Sequence, residues 1–285
     1  MPLSRRVFLG AVAVPWLVPR KSAATTLRRI RLGVCIRPPD FAAAEKYPFD
    51  FVELPAAEIA AMSADEFQAF KARVLASPLR CLALNNLIRS FTVVGENRKS
   101  SGAVRSYLSA CLPRCRELGA SIVVWGSAGS WNVPAGYPRA RAWAEIAQFL
   151  AAAGDIARQC GLLIAVEPLS HPESNIINTA AEALRLVRAV NHSHIRMVVD
   201  YYHLRRENED PEIIFAARHE IVHFHFANPH DRRWPQDPGG DPQYRRFLGF
   251  LKRMAYQGGI SIEGRGSLDT DAPGSLAFFR QELAV

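Results

Sequence analysis

The sequence predicts an α/β protein folded as a single (β/α)8 TIM barrel. From residue 31 onward, short apolar runs alternate with segments in which apolar residues recur at helical spacing, and eight of the runs have the length of a strand. The stretch 164–204 holds two such runs on either side of a helical segment, which is the order of a βαβ unit with parallel strands. Eight strands with helical crossovers favour a closed barrel over an open, doubly wound sheet.

The predicted strands are short apolar runs that end at polar or turn residues: Arg31–Ile36, Phe49–Leu54, Leu79–Leu84, Ser121–Gly126, Leu162–Val166, Ile195–Val199, Ile221–Phe226 and Ile260–Ile262. Helical spacing predicts helices at Asp40–Tyr47, Ser63–Ala76, Ala103–Leu118, Arg139–Gln159, Thr179–Val190, Pro211–Arg218, Gln243–Met254 and Ser275–Leu283. Ser63 and Glu66 carry the capping-box signature. The sequence shows no low-complexity tract or flexible linker, so we predict one barrel domain over residues 25–285.

The first 24 residues have the pattern of an export signal. The segment 4–9, which contains Arg5 and Arg6, is followed by an apolar run and by small residues near Ala24. This pattern resembles a twin-arginine signal, so we expect residues 1–24 to be a signal peptide and the mature protein to be periplasmic. The apolar run is short for a transmembrane helix, and we expect no stable membrane insertion after cleavage. An uncleaved anchor is the alternative.

Charge and cysteine content exclude other classes of protein. The net charge is +8, and removing the four charges of Arg5, Arg6, Arg20 and Lys21 leaves +4. Such a modest charge gives no support to nucleic-acid binding. The five cysteines are odd in number and lack CxxC spacing, so neither a disulfide framework nor a zinc knuckle is indicated.

Four polar residues stand at the ends of the last four predicted strands. Glu167, Asp200 and Glu263 supply carboxylates, and His225 supplies an imidazole. The carboxyl ends of parallel barrel strands meet at one rim, so we expect these four side chains to converge there. Three oxygens and one nitrogen form a ligand set for a divalent metal ion. We take Mn²⁺ as the first candidate and Mg²⁺, Co²⁺ and Zn²⁺ as alternatives.

The same strand ends carry a family resemblance in four motifs: Val166-Glu167-Pro168-Leu169, Asp200-Tyr201-Tyr202-His203, His223-Phe224-His225 and Ile262-Glu263. In these motifs the chain resembles the xylose isomerase-like barrel superfamily over its whole mature length. Within that superfamily it is similar to the sugar (phosphate) isomerase/epimerase group, which includes the ketose 3-epimerases and hydroxypyruvate isomerase. The pair Tyr201-Tyr202 stands where ketose epimerases commonly have Thr-Phe, which leaves the identity of the sugar open.

The resemblance implies a role for each matching residue. Glu167 and Glu263 would be the catalytic acid and base, and both would bind the metal together with Asp200 and His225. Glu173 and His203 would contact the substrate. An arginine expected shortly after the metal-binding histidine falls at Arg232 or Arg233, and we take Arg232 as the substrate ligand.

The resemblance thus implies a divalent-metal-dependent sugar isomerase or epimerase. A divalent ion that chelates a carbonyl and its neighbouring hydroxyl stabilises the enediolate formed when a carbon-bound proton leaves. A lyase or dehydratase acting on a keto-sugar or 3-keto-glycoside is the first alternative, and a non-catalytic, exported sugar-binding barrel is the second. The expected partner is a small carbohydrate. The sequence leaves a homo-oligomer open.

Several loops after the strands are candidates for the substrate wall. Trp125 lies beside a glycine-rich segment, and tryptophan rings commonly stack on sugars. Further candidates are Glu53, Asn85, Asn86, His171 and His230. The long loop Asn228–Asp241 is predicted to act as a lid.

The export signal gives the first testable prediction. We expect the double substitution Arg5→Lys and Arg6→Lys to hold the precursor in the cytoplasm, because the twin-arginine pair is the feature that the export route reads. Cell fractionation followed by immunoblotting measures the precursor and its periplasmic product. Unchanged delivery to the periplasm would indicate the general secretory route instead.

Overall fold

A computed structural model describes residues 29–283 of the chain. Its eight strands all run parallel and form a closed barrel in chain order, with the last strand paired to the first. The predicted (β/α)8 TIM barrel is therefore confirmed. The predicted signal peptide, residues 1–24, lies outside the described residues.

The strands are β1 Arg31–Cys35, β2 Phe51–Pro55, β3 Arg80–Asn85, β4 Ile122–Trp125, β5 Leu163–Val166, β6 Ile195–Asp200, β7 Ile221–Phe226 and β8 Gly259–Ile262. The α-helices are α1 Phe41–Ala44, α2 Ala56–Ala61, α3 Ala64–Ala76, α4 Ser101–Glu117, α5 Arg139–Cys160, α6 Ala180–Val190, α7 Tyr201–Arg206, α8 Ile213–Ala216, α9 Tyr244–Arg253 and α10 Leu268–Leu283. Each predicted strand is present, and the predicted ends differ from the observed ones by at most two residues.

Most predicted helices are present, and the capping box at the start of α3 is confirmed. The Ser63 hydroxyl accepts a hydrogen bond from the Glu66 amide, and the Glu66 carboxylate accepts one from the Ser63 amide. The helices predicted at Asp40–Tyr47 and Pro211–Arg218 are reduced to the single turns α1 and α8.

The prediction for the last helix was wrong at its beginning, which is Leu268 rather than Ser275. An Asp271 carboxylate oxygen accepts a hydrogen bond from the Ser267 amide at 2.7 Å and starts the helix ahead of Pro273. Two short helices, α2 and α7, were not predicted. Helix α7 begins directly after Asp200, whose Oδ1 accepts the Tyr202 amide at 2.8 Å.

An aromatic ring fills the amino-terminal end of the barrel lumen. Phe51 of β2 lies between Gly33 of β1 and Gly259 of β8, and a Cβ at these glycines would come within 2.3 Å and 2.8 Å of its ring. On the opposite side of the lumen a small apolar cluster joins Val124, Ala165 and Val198. Side chains alternate along a strand, so Glu53 is the next residue of β2 to point into the lumen, above Phe51. Above this packed floor, the buried polar side chains of Glu53, His223 and Ser261 lie between the Phe51 ring and the carboxyl-terminal mouth.

Among residues 29–283, the structure contains no helix that is long and apolar enough to cross a membrane. The five cysteines of the chain all lie in this range and are free thiols. This agrees with the expectation that no disulfide framework is present.

The floor of the barrel gives the second prediction. Gly33→Ala should lower the free energy of unfolding by about 1–3 kcal/mol, because the added methyl group overlaps the Phe51 ring in a close-packed site. Urea denaturation at fixed pH measures the change. Gly102→Ala in α4 is the matched control, since nothing lies within 4 Å of its added Cβ, and it should be neutral or stabilising by up to about 1 kcal/mol. Equal stability of Gly33→Ala and the wild type would refute the proposed packing.

Candidate functional site

Four side chains from neighbouring strands converge at the mouth of the barrel. Glu167 follows β5, Asp200 ends β6, His225 lies near the end of β7 and Glu263 follows β8. One ligand atom from each lies within 4.8 Å of the others. The structure therefore brings together the four residues that the sequence placed on one rim. Their role as metal ligands is developed below as a proposal.

A buried carboxylate beneath this cluster fixes the orientation of the imidazole. Glu53 Oε1 lies 3.0 Å from His225 Nε2, and Glu53 Oε2 accepts the Ser261 hydroxyl at 2.6 Å. Neighbouring histidine charge holds the pKa of Glu53 well below its usual range in spite of its burial. An ionised carboxylate only accepts hydrogen bonds, so His225 donates from Nε2. In neutral His225, Nδ1 then presents a lone pair to the cluster.

His225 Nδ1 faces the two glutamates of the cluster. It lies 2.6 Å from Glu167 Oε1 and 3.2 Å from Glu263 Oε2. Burial lowers the proton affinity of this imidazole, but the charges of Glu53, Glu167 and Glu263 outweigh it and raise the pKa of His225 well above its usual value. In the metal-free protein a proton on Nδ1 thus links the two glutamates.

The carboxylates of the cluster are held at an electrostatic cost. Burial raises the pKa of Glu167 to about 8, and the charge of Glu263 adds to that rise. Burial, followed by the charge of Glu263, raises the pKa of Asp200 to about 7. Such shifts mark a site with too little positive charge for its carboxylates.

The atoms of the cluster fit a divalent cation. Asp200 Oδ2 is buried and, among the described residues, has no hydrogen-bond partner. An unpartnered buried carboxylate oxygen is costly in the absence of a cation. Three carboxylates and one imidazole nitrogen suit Mn²⁺, Mg²⁺, Co²⁺ or Zn²⁺.

His203 is held in one tautomer beside the cluster. The Ser170 amide donates to His203 Nδ1 at 3.0 Å, so that nitrogen carries no proton. The ring is buried, and its burial together with the charge of Arg232 lowers the pKa of His203 to about 3. The neutral ring therefore carries its proton on Nε2, which has no hydrogen-bond partner among the described residues and lies 3.7 Å from Asp200 Oδ2. This N–H is available to an oxygen bound at the cluster.

Arg232 lies in the loop that follows β7 and contacts residues of the cluster and of its surroundings. Its guanidinium donates to Glu173 Oε1 at 2.7 Å, lies 3.6 Å from Glu263 Oε2 and covers the ring of Tyr202 at 4.7 Å. Arg233 instead points to solvent, with 73% of its side chain exposed. Of the two arginines that the sequence left open, Arg232 is the one at the site.

Gly126 makes room for Glu167. A Cβ at Gly126 would lie 1.8 Å from Glu167 Oε2 and 2.8 Å from its carboxyl carbon. Because Glu167 is itself buried, its carboxylate has no free space into which to move. Gly126 therefore accommodates a side chain of the site.

The expected role of Trp125 in the substrate wall does not agree with its position. Its ring is fully buried, packs edge-on against Trp131 at 4.5 Å, and donates to the Ser130 hydroxyl at 2.9 Å. Trp125 pairs in register with Val166, and both belong to the core outside the lumen. Strand alternation thus directs Trp125 toward the helices.

The other wall candidates take different positions. Asn85 Nδ2 donates to Glu263 Oε1 at 3.1 Å, and Asn86 donates to Asn85. His171 is 69% exposed and lies 2.6 Å from Glu207 at the rim, away from the cluster.

The loop Asn228–Asp241 is tied to the barrel. Asp241 accepts the Tyr201 hydroxyl at 2.7 Å, and its Oδ2 lies 3.4 Å from His230 Nε2. Tyr201 directly follows Asp200, so this loop is anchored next to the cluster. A lid motion of the loop stays a prediction.

Two residues that matter for the geometry carried weak sequence signals. Ser170, which fixes the tautomer of His203, is one of many loop serines and was not singled out. Glu53 was named only as a wall candidate, whereas it lies beneath the cluster as the partner of His223 and His225. Its place in the strand alternation, two residues before the end of β2, was the signal available.

Comparisons with known proteins agree with this fold. Residues 41–282 match the family described as the xylose isomerase-like TIM barrel. A 3-dehydro-D-guloside 4-epimerase of Escherichia coli (strain K12) is 28% identical over 129 residues, which are 44% of this chain and 48% of the relative. The chain thus spans about half the length of that relative. An inosose isomerase of Bacillus velezensis is 27% identical over 257 residues, covering 84% of this chain and 85% of the relative.

A solved structure shows the same fold. The crystal structure of D-psicose 3-epimerase in the presence of D-fructose superposes with a TM-score of 0.79 at 18% sequence identity, covering 90% of this chain and 100% of that one.

The protonation of the cluster gives the third prediction. At pH 6.5, Glu167 with a pKa of about 8 and much of Asp200 with a pKa of about 7 hold protons in the metal-free protein. A bound cation must displace them, together with the proton on His225 Nδ1, so Mn²⁺ binding should release protons and its apparent affinity should rise from pH 6 through about 8. Isothermal titration calorimetry in two buffers of different ionisation enthalpy measures both quantities. A constant affinity without proton release would contradict the assignment.

Proposed function

Because the chain belongs to the xylose isomerase-like TIM barrel family, we propose that it is a sugar isomerase or epimerase that moves a proton at a carbon beside a carbonyl group. Glu167, Asp200, His225 and Glu263 hold a divalent cation in this proposal. Glu167 and Glu263 also exchange the proton with the substrate.

One observation carries the proposal. The two glutamates lie on either side of His225 Nδ1, at 2.6 Å and 3.2 Å, in a cluster that also has an unpartnered buried oxygen on Asp200. A cation at that cluster would bind the substrate between two carboxylates. Two proton carriers around one carbon are what inversion of a stereocentre requires.

The proton transfer is balanced between the two glutamates. One glutamate, as a carboxylate, takes the carbon-bound proton from one face of the substrate and becomes a carboxylic acid. The other, as a carboxylic acid, delivers a proton to the opposite face and becomes a carboxylate. The reverse reaction exchanges the two roles, and return of a proton to the neighbouring carbon would give isomerisation. Bound in the cluster, the cation supplies Lewis-acid polarisation of the carbonyl, which acidifies the adjacent C–H bond.

Other residues orient the substrate oxygens. His203 offers a single N–H donor from a neutral ring, so it can donate to a carbonyl or hydroxyl oxygen without adding charge. Arg232 is held by Glu173 and Tyr202 with its guanidinium toward Glu263. A guanidinium in this place would bind a substrate oxygen and favour the ionised form of Glu263. The pKa of Glu263 is held below its usual range by His225 and Arg232, in spite of its burial.

The relatives support a keto-sugar or related cyclic polyol as the substrate. Their names describe a 4-epimerase of a 3-dehydro sugar, an inosose isomerase and a psicose 3-epimerase. In the first name, the epimerised carbon neighbours the keto carbon. A carbon beside a keto group is also the position from which Glu167 and Glu263 would remove a proton in this proposal.

Separate substitutions of the glutamates give the fourth prediction. Glu167→Gln and Glu263→Gln should each lower turnover by about 10²- to 10⁴-fold, because each removes a proton carrier while nearly preserving size. Turnover is measured with the Mn²⁺-loaded protein in D₂O against keto-sugars and 3-keto-glycosides. Nuclear magnetic resonance then reports solvent deuterium at carbon, and product analysis distinguishes epimerisation from elimination.

The two variants also differ in what they should leave intact. We expect one of them to exchange the substrate C–H with solvent without completing inversion, since only one face has lost its proton carrier. Metal content is measured in parallel, and Glu282→Gln on α10 is a matched control at a surface ion pair. Near-wild-type turnover in either active-site variant, with metal bound, would refute the two-carboxylate mechanism.

A further inference from the structure

A large cavity opens from the candidate active site toward the loops that follow β8, β1, β2 and β3. Its volume is about 570 Å³, and its inner end is lined by Cys35 and Asn85. Asn85 donates to Glu263, and the Cys35 thiol lies within 4.8 Å of ligand atoms of Glu53 and His225. The inner end of the cavity therefore borders the proposed reaction site.

The cavity and the substrate-orienting residues lie on different sides of the cluster. Glu173, His203 and Arg232 come from the segments after β5, β6 and β7, whereas the cavity is lined mainly by the loops after β8, β1, β2 and β3, with Trp234 contributed by the loop after β7. A substrate carbon held at the cluster would have its oxygens bound on the first side. The rest of the molecule would extend into the cavity. A volume within the range of roughly 300–1,000 Å³ encloses ligands of drug size, which is more than the reacting end of one sugar needs.

The cavity carries charged groups of both signs, with one more carboxylate than cations. Arg37 and Arg89 supply two cations, and Asp40, Glu58 and Asp269 supply three carboxylates. The Arg37 guanidinium donates to both oxygens of Glu58, at 3.1 Å and 3.2 Å. A phosphate or carboxylate on the substrate would require an excess of cations, which this lining does not have. The lining instead places hydrogen-bond donors beside acceptors. This combination matches the hydroxyl groups of a neutral sugar ring, which both donate and accept hydrogen bonds.

A second cavity continues outward from the first. Its volume is about 700 Å³, and Tyr107 lies in its wall. Arg37, Glu58 and Arg89 line both cavities and so form their shared boundary. The Arg89 side chain makes no hydrogen bond or ion pair with another residue in the range 29–283. The exposed Arg89 side chain lies at that boundary, so its guanidinium donors are accessible to a ligand in either cavity.

From these observations we propose that the substrate is a glycoside, with its reacting sugar at the metal cluster and a second, uncharged sugar unit in the cavity bounded by Arg37, Glu58 and Arg89. This inference rests on the proposed function and specifies its substrate class. Contacts to the second unit would contribute to the transition state as well as to binding, so a free monosaccharide would lose turnover in addition to affinity.

Binding of unreactive probes tests the proposal apart from catalysis. With the Mg²⁺-loaded full-length protein, saturation-transfer nuclear magnetic resonance compares cellobiose and maltose with methyl β-D-glucopyranoside. We expect at least one disaccharide to bind about tenfold more tightly, which corresponds to about 1.4 kcal/mol. Equal binding of all three, or tighter binding of glucose 6-phosphate than of either disaccharide, would overturn the proposal.

Two variants localise the second unit. Arg89→Ala removes the unpaired donor, and Ala43→Phe places a ring in the lining of the inner cavity. Both should abolish the disaccharide preference and leave binding of the methyl glucoside unchanged. Arg158→Ala, at the end of α5, is the matched control for loss of an exposed arginine, and circular dichroism checks folding. A disaccharide preference that survives both folded variants would overturn the placement.

The outcomes separate this inference from the proposed function. Deuterium exchange without any preference for disaccharides would remove the glycoside assignment and leave the isomerase or epimerase in place. A disaccharide preference that depends on Arg89, with no exchange on any keto-sugar, would remove the proposed chemistry and leave the binding cleft.

Discussion

The hydrogen bond between Glu53 and His225 is the interaction on which the rest of the site depends. Glu53 is buried, ionised and linked to two histidines and a serine, so it accepts a hydrogen bond from His225 Nε2 and fixes that ring. The opposite nitrogen of the same ring then faces Glu167 and Glu263. A carboxylate behind a ligating imidazole raises the basicity of the ligand and sets its orientation. The strand order of the barrel determines this geometry, because Glu53 reaches His225 only across the lumen from β2 to β7.

Burial of so many acids lowers the stability of the metal-free barrel as pH rises. Glu167, Asp200 and His225 bind protons more tightly in the folded chain than in the unfolded chain. Their contribution to stability is therefore present at low pH and is lost as pH rises through about 7 and about 8. A bound cation would reverse this dependence, because it binds the deprotonated forms. The acidic cluster that would bind the cation thus lowers the free energy of unfolding at high pH. Packing of the apolar floor around Phe51 has to offset part of that loss.

The sequence predicted the parts of the molecule that follow from local pattern. Alternation along a strand placed Glu167, Asp200, His225 and Glu263 on one rim, since each comes at the carboxyl end of an apolar run. The prediction that Trp125 faces the substrate was wrong, because the face to which a residue at a strand end points depends on the register with the neighbouring strand. Trp125 pairs with Val166 of β5, and both point away from the lumen. Ser170 and Gly126 depend on contacts between different loops, and no short-range pattern encodes those contacts. The early start of α10 depends on the bond between Ser267 and Asp271, ahead of a proline that suggested a break.

The two halves of the barrel mouth differ in the charge of the side chains that would contact a substrate. The loops after β5 to β7 bring Glu173, His203 and Arg232 close to the cluster, where a developing negative charge on oxygen would need donors. The loops after β8, β1, β2 and β3 bring charges of both signs around a cavity, with one more carboxylate than cations. Such a lining selects a ligand by shape and hydroxyl pattern rather than by a negative charge. Asn85 joins the two halves, because it lines the cavity and donates to Glu263. A ligand group that moves Asn85 therefore also changes the environment of a proposed proton carrier. This contact provides a physical route by which the remote part of a substrate affects the proton transfer itself.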